Sequence, residues 1–229
     1  MGAREDILGK LKSKLGHSDA PDGDAAAAKR IQEHHLNLIP KRGDLDKAQR
    51  VDLFCQEATR VNATVVRVAS MDEVPAGVSD YLREHQLPAK IKIAPHPALT
   101  SLAWQAKTSL MVDEGRGVGD DGVSVSMAFG GVAETGTLVM SSGPETPTSL
   151  NFLPLDHIVV LQADEIAGNY EAVWARIREK AGPGKLPRTV NWITGPSRTA
   201  DIEQTLLLGA HGPQRLHILI IDPPVTPES

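Results

Sequence analysis

Apolar residues recur in two rhythms along this chain, and the alternation between the rhythms sets out its elements. Val51, Phe54, Cys55 and Ala58 fall at helical spacing within Asp44 to Val61, and the next run, Thr64-Val65-Val66-Arg67-Val68, is β-branched and strand-like. The helix-like DYLREHQL then leads to the strand IKIA at Ile91, and after an irregular stretch the strand candidates SVSMA, TLVM and HIVVL follow between Ser124 and Leu161. Ile166, Tyr170, Val173, Trp174 and Ile177 form a helical stripe, followed by the strand TVNWIT, the helix TADIEQTLLLG and the strand LHILII. Helices set between apolar strands predict a mostly parallel sheet covered on both faces, an α/β fold.

The ends read differently. Ile7, Leu8, Leu11 and Leu15 make Ala3 to Leu15 an amphipathic helix with Lys10, Lys12 and Lys14 on its other side. The following GHSDAPDGDA, Gly16 to Ala25, is small, polar and broken by Pro21, and reads as a linker. The tail PPVTPES reads as flexible. The expected plan is therefore a helix and linker over 1–26, one domain over 27–222 and a tail over 223–229.

Composition narrows the function classes. A hydrophobic content of 41% over 229 residues is enough for a sizeable core, while a formal charge of -5 and only 3% aromatic residues argue against a nucleic-acid surface. Cys55 is the only cysteine, so this chain alone builds no disulfide, no four-thiolate zinc site and no cysteine-ligated iron–sulfur cluster. MGAREDILGKLKSKL has no continuous apolar stretch, nothing approaches the roughly 20 apolar residues of a membrane helix, and Asp6 stands where myristoylation wants Ser or Thr. A soluble, cytoplasmic protein is expected. The histidines, His34 and His35 included, show no metal-binding spacing, and no nucleophile elbow is present, so neither metal nor cofactor is implied. The run from Gly117 to Gly122 matches G-x-G-x-x-G, but a strand follows it and Asp120 and Asp121 would repel a pyrophosphate; it reads as a connection.

Candidate chemistry concentrates in AFGGVAETGTLVMSSGPETPTSLNFLPL, Ala128 to Leu155. Gly130, Gly131 and Gly136 give backbone freedom and room for close approach of a ligand, and Thr135 and Thr137 set hydroxyls beside Glu134. Glu134 has three readings: a general base, a nucleophile, or a carboxylate that ties down its own loop. Ser197, Arg198 and Thr199 precede the expected helix TADIEQTLLLG, where hydroxyls cap and where N–H groups with Arg198 suit a carboxylate or phosphate. His211, in GAHGP, is either part of a C-cap turn or a proton-transfer residue. His157, at the entry to HIVVL, reads as bonded to a neighbouring backbone group.

The element Gly131-Val132-Ala133-Glu134-Thr135-Gly136-Thr137 resembles the G-[IV]-A-E-T-G-T signature of the LUD domain family, specifically its lactate utilization protein C members. Gly195 to Glu203 and Gly209 to Pro213 are similar to the family's G-P-S-x-T-x-D-I-E and G-x-H-G-P runs, and Leu153-Pro154 and His157-Ile158 fit between them. The resemblance is carried by the C-terminal half. It implies a three-layer α/β/α sandwich of the ribose-5-phosphate isomerase and CoA-transferase-like kind. It also implies a component of an L-lactate utilization system that oxidises lactate to pyruvate with iron–sulfur partner proteins. The ligand would be a small carboxylate or phosphate. A free-standing transferase or isomerase using Glu134 on a CoA ester or sugar phosphate is the alternative, and a metabolite sensor a third. The expected ligand set is Glu134, Thr135, Gly136, Thr137, Ser197, Arg198, Thr199 and His211, with Glu134 the best catalytic candidate. The Glu134 turn and Ser197 are expected to meet on one rim, beyond the carboxyl ends of the strands.

Overall fold

The computed structural model describes residues 3–14, 21–36, 38–106, 109–119, 121–199, 207–209 and 211–222. The chain divides into two units, Met1–Ile39 and Pro40–Ser229. The first carries α1 (Ala3–Lys14) and α2 (Pro21–Glu33). Pro21 to Ala25, expected as linker, is helix, because proline is tolerated in a first turn and the alanines from Ala25 to Ala28 are the strongest helix formers. The other half of that stretch, 16–20, and the expected tail, 223–229, lie outside the described residues.

In the second unit α3 (Lys47–Arg60) starts from a capping box: Asp46 accepts from the Gln49 N–H and the Gln49 side chain accepts from the Asp46 N–H. There follow β1 (Thr64–Val68), α4 (Val74–Glu84), β2 (Lys90–Ile93), the single turn α5 (Pro97–Thr100), β3 (Met111–Glu114) and β4 (Val123–Met127). Next come β5 (Gly130–Val132), β6 (Thr137–Ser141), β7 (Asp156–Gln162), β8 (Ile166–Ala167) and α6 (Tyr170–Ala181). The chain continues through β9 (Val190–Ile193), β10 (Arg198–Thr199), β11 (Leu207–Leu208) and β12 (Arg215–Ile221).

Six strands form the central sheet in the order β1-β12-β7-β4-β2-β3, every pair parallel. One face packs on α4 through Val74, Val78 and Leu82, which meet Val125, Ile158 and Leu219. The other packs on α3 through Val51, Phe54 and Ala58, which meet Val159, Leu161, Ile218 and Ile220. This is the expected α/β architecture, with one addition. TLVM and TVNWIT do not join the central sheet; as β6 and β9 they pair antiparallel in a four-stranded sheet, β8-β5-β6-β9, beside α3. The tight turn between β5 and β6 makes them an antiparallel hairpin, which a parallel sheet cannot absorb. Leu138 and Met140 face the central sheet, and Val132 and Val139 on the far side are covered by Val173 and Ile177 of α6. Ile166 belongs to β8 rather than to the helical stripe, since α6 is capped at Asn169, whose side chain accepts from the Ala172 N–H.

The expected helix TADIEQTLLLG does not run from Thr199 to Gly209. Arg198–Thr199 and Leu207–Leu208 pair as antiparallel strands, and residues 200–206 lie outside the described residues. The glycine-rich run before β4 opens no helix either, and its Val118 N–H is held by Asp121 Oδ2 at 2.7 Å. Among the described residues no helix is long and apolar enough to cross a membrane.

Candidate functional site

The link from β5 to β6 is a single 3-10 turn, Ala133–Thr135, closed by Gly136 at φ 61°. A Cβ at Gly136 would lie 2.2 Å from Ala58 N, so both the left-handed backbone and the contact with α3 demand glycine. A Cβ at Gly130 would lie 2.6 Å from Arg176 Nη2, and one at Gly131 would lie 2.9 Å from the Phe54 ring. The close approaches expected for a ligand are thus made by the protein's own α3 and α6. Glu134 is only 4% exposed. Its N–H donates to Gly168 O at 3.3 Å, and Oε2 lies 3.8 Å from Arg42 Nε without a hydrogen-bond partner. Gly43, next to Arg42, abuts Gly168 directly: a Cβ on Gly43 would lie 2.1 Å from Gly168 O, and one on Gly168 would lie 2.0 Å from Gly43 O.

The threonines of the turn are engaged with one another. Thr135 and Thr137 share a bond of 2.7 Å, both reach the Tyr170 hydroxyl at 2.9 and 3.0 Å, and Thr137 meets Thr194 at 2.7 Å. Thr194 immediately precedes Gly195-Pro196-Ser197. The two distant sequence elements are therefore tied together at this point.

Beyond Thr194, the segment to Ser197 and the turn His211-Gly212-Pro213 wall a cavity of about 230 Å³. Ser197 staples the walls: its N–H donates to Pro213 O at 2.9 Å, its carbonyl accepts from the Gly209 N–H at 3.0 Å, and its hydroxyl accepts from the His211 N–H at 3.3 Å. Phe152, Trp192, Ile193 and Leu216 supply apolar surface. Thr194 and His211 are exposed at the mouth, whereas His157, also lining the cavity, is 1% exposed. Its partner is a side chain rather than the expected backbone group: Nε2 meets Ser126 Oγ at 3.2 Å, and Nδ1 is buried without a hydrogen-bond partner. Burial pushes the His157 pKa down to about 3, so the ring is neutral near pH 7.

The eight expected ligand residues thus separate. Ser197 and His211 line the cavity, Glu134, Thr135, Gly136 and Thr137 form the adjoining turn, and Arg198 and Thr199 lie on β10 outside the cavity lining. The anion site at a helix start has no helix to rest on at Thr199, where the β10–β11 ladder replaces it. Reading the sequence alone missed His157, Thr194 and Asn151 as lining residues. A signal for the first existed in Val123-Ser124-Val125-Ser126-Met127, a strand buried throughout yet carrying two serines, which must find polar partners.

The position of the cavity also departs from expectation. His157 and Leu216 are the second residues of β7 and β12, so the cavity sits at the amino ends of the parallel strands. The cause is β9, which runs in the second sheet antiparallel to β6 and delivers Thr194 to the opposite rim. At the carboxyl ends lies a wider cavity of about 770 Å³, reached by Met127 and Gln162. There Arg176 is held by the Glu165 carboxylate and carbonyl, and Arg176 and Lys180 stand 5.8 and 5.3 Å from the Phe129 ring centroid.

The fold is that of a solved structure of a DUF162 family protein from Deinococcus radiodurans, which aligns with TM-score 0.55 at 20% identity over 77% of this chain and 99% of that one. The LUD domain matches residues 51–221, and the chain belongs to that family, as its sequence elements indicated. Lactate utilization protein C of Bacillus pumilus is 25% identical over 236 residues, 96% of each chain. The protein of the same name from Shouchella clausii is 30% identical over 119 residues, a stretch that spans 52% of this chain and 51% of that relative.

Proposed function

We propose that this chain serves lactate utilization as a ligand-handling subunit that works with iron–sulfur partner proteins. The observation that supports this most is the convergence of Ser197 and His211 on the His157 cavity, in a chain whose relatives are named lactate utilization protein C. At about 230 Å³ the cavity falls below the roughly 300–1,000 Å³ typical of drug-sized ligands, which favours a small carboxylate or phosphate over a CoA ester. A chain with Cys55 as its one cysteine ligates no cluster by thiolates alone, so the electrons of lactate oxidation would pass through partners.

A second reading, a free-standing transferase or isomerase, draws on Glu134, whose buried Oε2 lacks a hydrogen bond. Complementation of a strain lacking this protein separates the two. Under the first reading, Ser197→Ala combined with Gly212→Val, which narrows the cavity, abolishes growth on L-lactate while Glu134→Gln supports it. Normal growth of the deletion strain on lactate would refute a role in lactate utilization.

A further inference from the structure

Away from the His157 cavity, two arginines face a further cavity in which no acid meets them. This space of about 490 Å³ is lined by Arg116 and Arg188, by the hydroxyl-bearing Ser142, Thr148 and Thr189, and by no carboxylate among the described residues. Glu145, which follows the shared wall Ser142-Gly143-Pro144, lines the 770 Å³ cavity instead. Neither guanidinium makes a hydrogen bond or ion pair with a described residue, although the chain carries 29 acidic residues against 24 lysines and arginines. Backbone contacts nevertheless fix where both arginines stand. Arg116 precedes Gly117, where a Cβ would lie 2.9 Å from Ser149 O, so the chain that bears the arginine lies directly on the 3-10 turn Thr148–Asn151. Arg188 precedes Thr189, whose N–H donates to Ser142 Oγ and whose carbonyl accepts from the Ser142 N–H, both at 2.9 Å. The Ser142 hydroxyl accepts in that pair and retains its own proton as a donor.

We propose that this cavity binds a phosphomonoester, its phosphate held between Arg116 and Arg188 and bonded by the neighbouring hydroxyls. The site is separate from the His157 cavity and stands independently of the ligand-handling reading above. A phosphomonoester carries a charge of about −1.5 to −2 near pH 7 and three strong acceptor oxygens, which match two guanidinium forks and a set of hydroxyl donors. A monocarboxylate brings a single charge and two oxygens; one arginine satisfies it in bidentate fashion and the other is left over. Both arginines are exposed, and Ser142, Thr148 and Thr189 are half-buried, so a ligand reaches them without opening the fold. The volume lies within the roughly 300–1,000 Å³ of small-molecule sites and leaves room beyond the phosphate for the esterified group, to which Pro144 and Pro147 offer apolar surface.

Titration calorimetry on the full chain tests this with glycerol phosphate as the probe, at constant ionic strength. Glycerol phosphate should bind, inorganic phosphate should displace it, and glycerol, propionate and L-lactate should not. Arg116→Gln and Arg188→Gln should each weaken glycerol phosphate about ten- to hundredfold, and Arg188→Lys, which keeps the charge and loses the fork, by less. Lys185→Gln removes a positive charge from the same loop outside the cavity lining and should leave the affinity within about twofold. Glycerol phosphate should also raise the melting temperature of the wild-type protein and not that of the double variant Arg116→Gln/Arg188→Gln. Failure of glycerol phosphate to bind, displacement by propionate or L-lactate, a Lys185→Gln loss as large as those at the arginines, or an affinity that outlasts both arginines would each overturn the proposal. If a variant melted early, the displacement series on the wild-type protein would decide. The role in growth on lactate stands or falls separately, by complementation.

Discussion

Thr137 and Thr194 place their hydroxyl oxygens 2.7 Å apart at the end of the β6–β9 ladder, and this contact joins the Glu134 turn to the wall of the His157 cavity. Thr137 is fully buried and also meets Thr135 and Tyr170. Thr137→Val keeps the shape and removes the hydroxyl, leaving those partners short of a bond. Urea denaturation should show a loss of about 1–3 kcal/mol. Unchanged stability would mean that the hydroxyl cluster adds no cohesion.

Gly136→Ala should be the more damaging change in this turn. It forces a side chain into the left-handed region, at a cost of about 1–2 kcal/mol, and drives a methyl group against the α3 backbone, for about 1–3 kcal/mol more. A combined loss of roughly 2–5 kcal/mol is expected, read as a lower urea midpoint. A loss below 1 kcal/mol would show that α3 moves aside freely.

Glu134→Gln tests whether the buried carboxylate is scaffold or chemistry. Arg42, its nearest cation at 3.8 Å, has a side chain 54% exposed, so the pair contributes at most about 1 kcal/mol. Stability should stay within about 1 kcal/mol of wild type, and growth on lactate should persist. A stable variant that fails to support growth would instead favour the transferase or isomerase reading.

Acid should weaken the fold through two buried histidines. Burial holds His157 near about 3, and burial together with nearby His85 holds His217, bonded through Nδ1 to Thr64 Oγ1, near about 4. Unfolded histidine takes up a proton near 6.5, so between 6.5 and 4 the unfolded chain binds protons that the native one refuses, and stability falls as pH drops. At pH 5 the loss is about 2 kcal/mol per histidine. Urea midpoints at pH 7 and 5 should differ accordingly, and His217→Gln should remove about half of the difference. A midpoint equal at both pH values would contradict the burial of both rings.

The layered fold was legible because its cause is local. Continuous apolar runs such as Ile158 to Leu161 and Ile218 to Ile221 announce strands covered on both faces, and Val51, Phe54 and Ala58 announce the helix that covers one of them. Which sheet a strand joins is settled by pairing far along the chain, so the transfer of β6 and β9 to a second sheet left no mark on their own residues. Ser197 and His211 were legible as punctuation, but their meeting depends on a staple across 14 residues. Thr199 and Leu207 suit a helix by pattern, but their pairing across the chain, which the sequence does not show, sets them in a ladder.

The contact between Gly43 and Gly168 constrains how this protein can change. Each residue occupies the space that a methyl group on the other would need, so an alanine at one position has no compensating replacement at the other. A second-site suppressor would have to let the two backbones part. Arg42 rides on one segment and the Glu134 N–H hangs from the other, so any such relief would draw the guanidinium away from the buried carboxylate. Genetic screens for suppressors of Gly43→Ala should therefore return changes around Arg42 and Glu134 together, as an inherited unit rather than as independent sites.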